Sequence, residues 1–337
     1  MITGTRAALP MLALLCLGAC GGGSTPSSPT PPASTPPPAA QSWSLGGSVV
    51  DAISGAAIPG ATLTFATVNQ TQSTSADGGW TLTGTGTAAA RQAVTVTASG
   101  YQTYETGVRW DQAGRRDIQL QLIPDRAPFS LSFYREFVRN GFETPASLRG
   151  VARWTTTPNF YVNTFNPRTG QALEPAEVNL VVQAIRTAVP QLTGGQFNAG
   201  SIETGNGAVA DRRDYISVTF VYEPTAEYCG LAFIAANPGA ITINYDRCAN
   251  VCGSLKVTPE TIIHEVGHAM GFWHTSGQGV MSPSRARSCS NVNFSSQEQL
   301  HARLAYLRAP GNMDLDRDPT TFSSVVAESG PLVICRR

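Results

Sequence analysis

Between Trp43 and Pro124 the chain alternates apolar and polar positions in short runs: 44–51 (SLGGSVVD), 61–68 (ATLTFATV), 80–85 (WTLTGT), 93–100 (AVTVTASG) and 117–124 (DIQLQLIP). A period of two sends successive side chains to opposite faces, so each run is expected to be a half-buried strand. The breaks fall at Ser54-Gly55, Pro59-Gly60, Asp77-Gly78-Gly79 and Gly100, all residues suited to turns. Helical periodicity is absent here. Six or seven strands in an all-β, Ig-like sandwich over 43–124 are therefore expected.

After Pro124 the pattern is mixed. Residues 159–162 (NFYV), 215–222 (YISVTFVY) and 240–244 (AITIN) read as strands, and 174–192 as a helix carrying Val178, Val181, Val182 and Ile185. A second helix is expected in TIIHEVGHAM, with Ile262, Ile263, Val266 and Met270 for packing, Thr258 as N-cap and Pro259 at the first helical position. A third covers QEQLHARLAYL, where His301 is read as a surface or packing residue. The chain is thus expected to be multidomain, with an α+β domain over 125–337 built on a mixed twisted sheet.

The beginning of the chain fits neither pattern. Arg6 precedes an apolar run from Ala7 to Leu17, an arrangement of secretory signal length, which ends in Leu17-Gly18-Ala19-Cys20. That tetrapeptide resembles the lipobox of bacterial lipoproteins, which implies a signal peptide over 1–19, lipid attachment at Cys20 and a membrane partner through that lipid. Gly21 follows the cysteine, so an outer-membrane or cell-surface location is expected. Residues 21–42 hold seven prolines and no charge. The linker over 20–42 is accordingly a solvated, polyproline-rich spacer reaching up to ~60 Å. After residue 20 no stretch reaches the ~18 apolar residues of a spanning helix.

Composition narrows the function. There are 23 basic and 23 acidic residues, and charged residues make up only 14% of the chain. Nucleic-acid binding needs a concentrated basic surface, so it is excluded. Lys256 is the only lysine and stands in Ser254-Leu255-Lys256-Val257, which excludes a phosphate-cradling loop and a nucleotide partner.

Of four histidines, three lie in His264-Glu265-Val266-Gly267-His268-Ala269-Met270-Gly271-Phe272-Trp273-His274. Residues four apart on a helix lie about 40° apart around its axis, so His264 and His268 can face one metal. A glycine with positive φ at Gly271 can end the helix and return His274 as a third ligand. Three histidines leave an open coordination position, the signature of a catalytic rather than a structural zinc. Glu265, beside the first ligand, is placed to take a proton from an attacking water. One Zn2+ is the expected cofactor.

This motif resembles that of the metzincin metallopeptidases, and Gly279-Val280-Met281-Ser282-Pro283, seven residues beyond His274, resembles the methionine turn of the matrixin-like branch. The resemblance implies that Met281 forms a floor under the imidazoles. It also implies that Ala240, Ile241, Thr242 and Ile243 form a sheet edge able to bind an extended polypeptide by main-chain hydrogen bonds. Two features depart from such families: no cysteine lies between Cys20 and Cys229 to act as a propeptide switch, and no tyrosine closely follows Met281. The first domain resembles the carboxypeptidase regulatory-like family through Gly47-x-Val49-x-Asp51, Ile58-Pro59-Gly60-Ala61, Ser75-Ala76-Asp77-Gly78 and Ala98-Ser99-Gly100-Tyr101.

The function implied is an exported, lipid-anchored zinc endopeptidase, taken as a monomer. The rival reading is a non-catalytic surface adhesin that keeps a zinc site. Cys229, Cys248, Cys252, Cys289 and Cys335 are expected in two disulfides, which can be drawn in fifteen ways. Asp314-Leu315-Asp316-Arg317-Asp318 resembles half of a calcium loop, but Pro319 and Ser324 stand where its glycine and glutamate belong. Calcium is therefore unsupported, and this segment is expected to be a solvated loop.

Overall fold

Seven strands form in the first domain: β1 (Gln41–Asp51), β2 (Thr62–Phe65), β3 (Gln70–Ser73), β4 (Gly79–Gly86), β5 (Arg91–Thr97), β6 (Tyr104–Arg109) and β7 (Arg115–Leu122). The computed structural model describes residues 41–86, 91–109, 114–207, 212–248, 254–283, 289–290, 292–320 and 332–336. The expected signal segment, Cys20 and all but the end of the linker lie outside them, and so does Cys252. Among the described residues no helix is long and apolar enough to cross a membrane.

The strands make two sheets, β4-β1-β7 and β3-β2-β5-β6. β1 runs antiparallel to β4 and parallel to β7. The alternation seen in sequence becomes burial: β5 buries Gln92, Val94 and Val96 and turns the intervening residues outward. Val94, Val96, Leu45, Val49, Leu63, Phe65, Trp80, Leu82 and Leu120 fill the space between the sheets. This is the sandwich the pattern predicts.

The second domain opens with a helix that periodicity did not reveal, α1 (Leu131–Arg139), capped by Ser130, whose hydroxyl accepts from Phe133 N. There follow β8 (Asn159–Asn163), α2 (Pro175–Leu192), β9 (Ile202–Gly205), β10 (Tyr215–Val221), β11 (Tyr228–Phe233), β12 (Gly239–Asn244), α3 (Pro259–Ala269), α4 (Ser296–Tyr306) and β13 (Leu332–Arg336). The sheet order is β13-β11-β12-β10-β8-β9. β9, β8, β10 and β12 are parallel neighbours, while β11 pairs antiparallel with β12 and with β13. α3 is buried along its whole length, as a helix packed between a sheet and other helices must be. Thr258 caps it by accepting from Thr261 N. One apolar core joins Val181, Ile185, Ile216, Val218, Ile241, Ile262, Ile263 and Val266 with Trp154 and Phe272.

The disulfide Cys229–Cys248 narrows the fifteen ways of drawing two bridges to three and ties β11 to the segment after β12, with Cα atoms 5.6 Å apart. Cys289 is disulfide-bonded as well. His301, expected at a surface or in packing, is buried, accepts from Ser130 N and stacks on Phe129. Burial holds its imidazole below the usual value.

Sandwich and second domain belong to a single compact unit that begins at Ala40. Ala52 and Ile123 of the sandwich side enter the second domain's core. The polar joint is the segment 312–318, which is not the solvated loop expected from its charges. Arg308 and Asp316 form a buried pair with contacts of 2.6 and 2.7 Å, and Arg308 also donates to Gln121 O. Burial works to lower the Arg308 pKa, but the Asp316 carboxylate outweighs it and holds the guanidinium above its usual value. Asp318 accepts from Tyr104 and Thr106 of β6, and Arg317 pairs with Glu105. Asp314 is held by Arg135, and Arg139 donates to the carbonyls of Asn312, Met313 and Leu315. The carboxylates that resembled calcium ligands are engaged by arginines, hydroxyls and Asn312.

Removing one partner of a buried pair leaves an uncompensated charge, so Asp316→Ala should cost about 3–5 kcal/mol. Urea unfolding of the full chain measures it. A midpoint unchanged from wild type would show that the pair does not hold the two domains together.

Candidate metal centre

The site is assembled at the C-terminal half of α3 and the chain leaving it. His264 and His268 project from successive turns of one helix face. Gly271, with φ +114°, turns the chain out of the helix, and a Cβ at that position would run into the Ala152 carbonyl. Only glycine meets both demands. The turn brings His274 back, and the three Nε2 atoms lie 3.0, 3.1 and 3.2 Å from one another.

The opposite face of each ring shows what these nitrogens carry. His264 Nδ1 donates to Val280 O at 2.7 Å, His268 Nδ1 to Phe272 O at 2.7 Å, and His274 Nδ1 to Glu143 Oε1 at 2.6 Å. A neutral imidazole that donates from Nδ1 has an unprotonated Nε2. The three Nε2 atoms converge on one buried point, close enough together for all three to meet a single cation there. Ligands at the ~2.0–2.1 Å of a zinc–imidazole bond in tetrahedral disposition are separated by about 3.3 Å, close to the separations found. Among the described residues this is the one group of three or more potential ligands with metal-site spacing. The donor set fits a metal and is hard to account for without one.

Glu265 is fully buried, and its carboxylate rests against the main chain of Gly230 in β11, where any side chain would collide with it. Met281 is also fully buried and lies against α3 at Gly267, where a Cβ would meet its sulfur. The methionine turn is held in two ways. Its Met281 N–H donates to Glu298 Oε1 at 2.8 Å, and its Met281 carbonyl accepts from Thr275 N. Glu298 serves twice, since its other oxygen closes the capping box of α4 with Ser295.

Three contributors escaped sequence reading. The signature Ser295-x-x-Glu298 could have marked Glu298 as a capping-box residue, although not as the anchor of Met281. Glu143 and Glu136 carried no local signal. Glu136 accepts from Ser276 N and Oγ, just beyond the third histidine. One expectation is corrected: Ala240, Ile241, Thr242 and Ile243 form no sheet edge, because β12 lies inside the sheet between β11 and β10. The strand beside Glu265 is β11, which precedes β12 in sequence but folds outside it as the second arm of a hairpin.

An α+β domain holds three histidines on this scaffold with a methionine turn beneath them, the arrangement implied by the resemblance of the sequence motif to the metzincin metallopeptidases. Comparison of sequences agrees: residues 158–275 match the family model "Metallo-peptidase family M12B Reprolysin-like", and residues 44–122 match the carboxypeptidase regulatory-like domain. The chain thus carries a reprolysin-like metallopeptidase domain behind a carboxypeptidase regulatory-like domain. Within the metzincins the matching model is the reprolysin-like one, where the short spacing to Met281 had resembled the matrixin-like branch.

No curated protein matches the chain. Similar solved structures include metalloproteinase-II from Bacteroides fragilis, at 13% identity over 77% of this chain and 84% of that one, with a TM-score of 0.30. A putative carbohydrate-binding protein from Bacteroides uniformis has 17% identity over 24% of this chain and 41% of its own, with a TM-score of 0.20. A putative membrane-associated protein of unknown function from Bacteroides fragilis has 16% identity over 47% and 46%, with a TM-score of 0.22. The chain spans less than half the length of these last two.

Because Glu298 satisfies the buried Met281 N–H, Glu298→Ala orphans that donor and breaks the cap. It should destabilise the protein by about 1–3 kcal/mol, read by urea unfolding of the metal-free chain. A variant as stable as wild type would show that the methionine turn does not need this anchor.

Proposed function

We propose that this chain is an exported, lipid-anchored endopeptidase that hydrolyses polypeptide substrates with one zinc ion. The observation that carries the reading is the convergence of three imidazole Nε2 atoms beside a buried glutamate, in a domain matching a metallopeptidase family. The anchoring rests on Leu17-Gly18-Ala19-Cys20, with the proline-rich, uncharged sequence after it as the spacer.

His264, His268 and His274 hold the ion. Zinc in that position supplies a Lewis acid that polarises the scissile carbonyl and acidifies an attacking water. Glu265 accepts the proton of that water and passes it to the leaving amine, which needs a carboxylate fixed beside the reacting atoms. Its fixation comes from α3, which places it next to His264, and from Gly230, which leaves room for it against β11. Burial excludes bulk water from the carboxylate and strengthens its electrostatic action. Met281, behind the imidazoles, closes the lower side of the site to solvent without offering a charged group.

The full chain is the form to assay, since the sandwich and the peptidase share a buried joint. Glu265→Ala should lower kcat on a fluorogenic peptide mixture by about 10²–10⁴-fold while bound zinc remains one per chain. Chelation should abolish wild-type cleavage and added zinc restore it. Hydrolysis by the variant at the wild-type rate would sink the reading.

A further inference from the structure

The geometry points to Glu143 as the positioning residue of the third metal ligand, a role that rests on the metallopeptidase reading above. His264 and His268 receive their orientation from main-chain carbonyls of the motif's own surroundings, Val280 and Phe272. His274 does not: its Nδ1 meets a carboxylate from a turn 131 residues earlier in the chain. That turn lies outside residues 158–275, the stretch that matches the family. It is one part of a clasp. Phe137 O accepts from Trp273 N at 2.8 Å, the Phe137 ring stacks on Phe272 at 4.4 Å, and Glu136 accepts from Ser276 N at 2.9 Å. α1 and the turn after it thereby grip the segment 272–276 on both sides of His274. An anionic partner on Nδ1 fixes the tautomer that leaves Nε2 free for the metal, and raises its basicity. A carbonyl does the first of these but contributes less to the second.

Measured by competition with a chromogenic chelator, zinc affinity of the full chain should fall about 10–100-fold in Glu143→Ala. Glu143→Gln, which keeps an acceptor but not the charge, should recover part of it. Glu136→Ala, which loosens the same segment without touching His274, should fall less than Glu143→Ala, and metal-free stability should be little changed in all three. Equal losses in Glu136→Ala and Glu143→Ala, or an affinity in Glu143→Ala within twofold of wild type, would overturn the assignment. Since affinity is read without catalysis, failure of the peptidase reading would leave this result standing.

A separate observation concerns the strand that faces Glu265. β11 has β12 on one side, and its other edge pairs antiparallel with β13, with Gly230 opposite Cys335, Leu231 opposite Ile334, Ala232 opposite Val333 and Phe233 opposite Leu332. We infer that residues 332–336 occupy the edge on which this domain binds an extended peptide, and so restrain their own enzyme. Paired residues of an antiparallel ladder have Cα atoms about 4.5–5.5 Å apart. The main chain at 335 is therefore next to Gly230, the residue that abuts the Glu265 carboxylate. A strand edge offers its N–H and C=O groups once, so a bound segment and an incoming peptide exclude each other. The main-chain device also needs no thiolate from a propeptide, and none is present between Cys20 and Cys229.

The test is binding of the synthetic peptide PLVICRR to the chain ending at residue 320 and to the full chain, by calorimetry, with helix content and zinc stoichiometry checked in both. The shortened chain should bind it and the full chain should bind it at least tenfold more weakly. Ile334→Pro in the full chain, which puts a residue without an N–H and with a fixed φ into β13, should raise kcat/KM on the peptide mixture. No binding to the shortened chain, or equal binding to both, would overturn the inference. Binding without any hydrolysis by either chain would instead count against the peptidase reading.

Discussion

Three imidazole nitrogens held within 3.2 Å of each other are the constraint that the rest of the second domain works to impose. Each imidazole is fixed from behind by a different part of the chain: the methionine turn, the exit of the active-site helix, and the turn after α1. Those supports are supported in turn. Glu298 holds the methionine turn while capping another helix, and the aromatic stack of Phe137 on Phe272 holds the exit. Folding thus fixes three ligand atoms around one point by packing and hydrogen bonds made elsewhere, at the spacing a tetrahedral metal would need.

The same economy appears at the joint between domains. Arg139 and Arg308 are buried guanidiniums, a costly choice unless each donor finds an acceptor. The segment 312–318 supplies most of those acceptors, the carbonyls of Asn312, Met313 and Leu315 and the Asn312 amide oxygen to Arg139 and the Asp316 carboxylate to Arg308, while its other side hydrogen-bonds to the edge of β6. A low overall charge makes this concentration of ion pairs more telling, because so few charged residues are available for the surface.

Much of this was legible where the signal is local. The alternating runs gave the sandwich, the spacing of four and then six gave the ligand histidines, and Thr258-Pro259 gave the start of α3. What escaped depends on distance in sequence. Glu143 and His274 meet across 131 residues, and nothing in either neighbourhood announces the other. The family resemblance implies a substrate edge at Ala240–Ile243, the strand some twenty residues before the zinc helix in sequence. Spatial order differs from chain order here, and β11, with Cys229 and Gly230 interrupting its apolar pattern, lies outside it. Asp314–Asp318 was misread for a related reason: a run of aspartates looks solvated until the arginines of α1 and Arg308 are seen to surround it.

The parallel pairing of β1 with β7 has a mechanical meaning. The chain enters the folded unit at Gln41, and β7 leads on at Leu122 towards the peptidase from the opposite end of the same pair. A pull on the entry point against the enzyme loads the β1–β7 ladder lengthwise, so its hydrogen bonds bear the force together rather than opening one at a time. The sandwich can then act as a tension-bearing link between the entry point and the second domain.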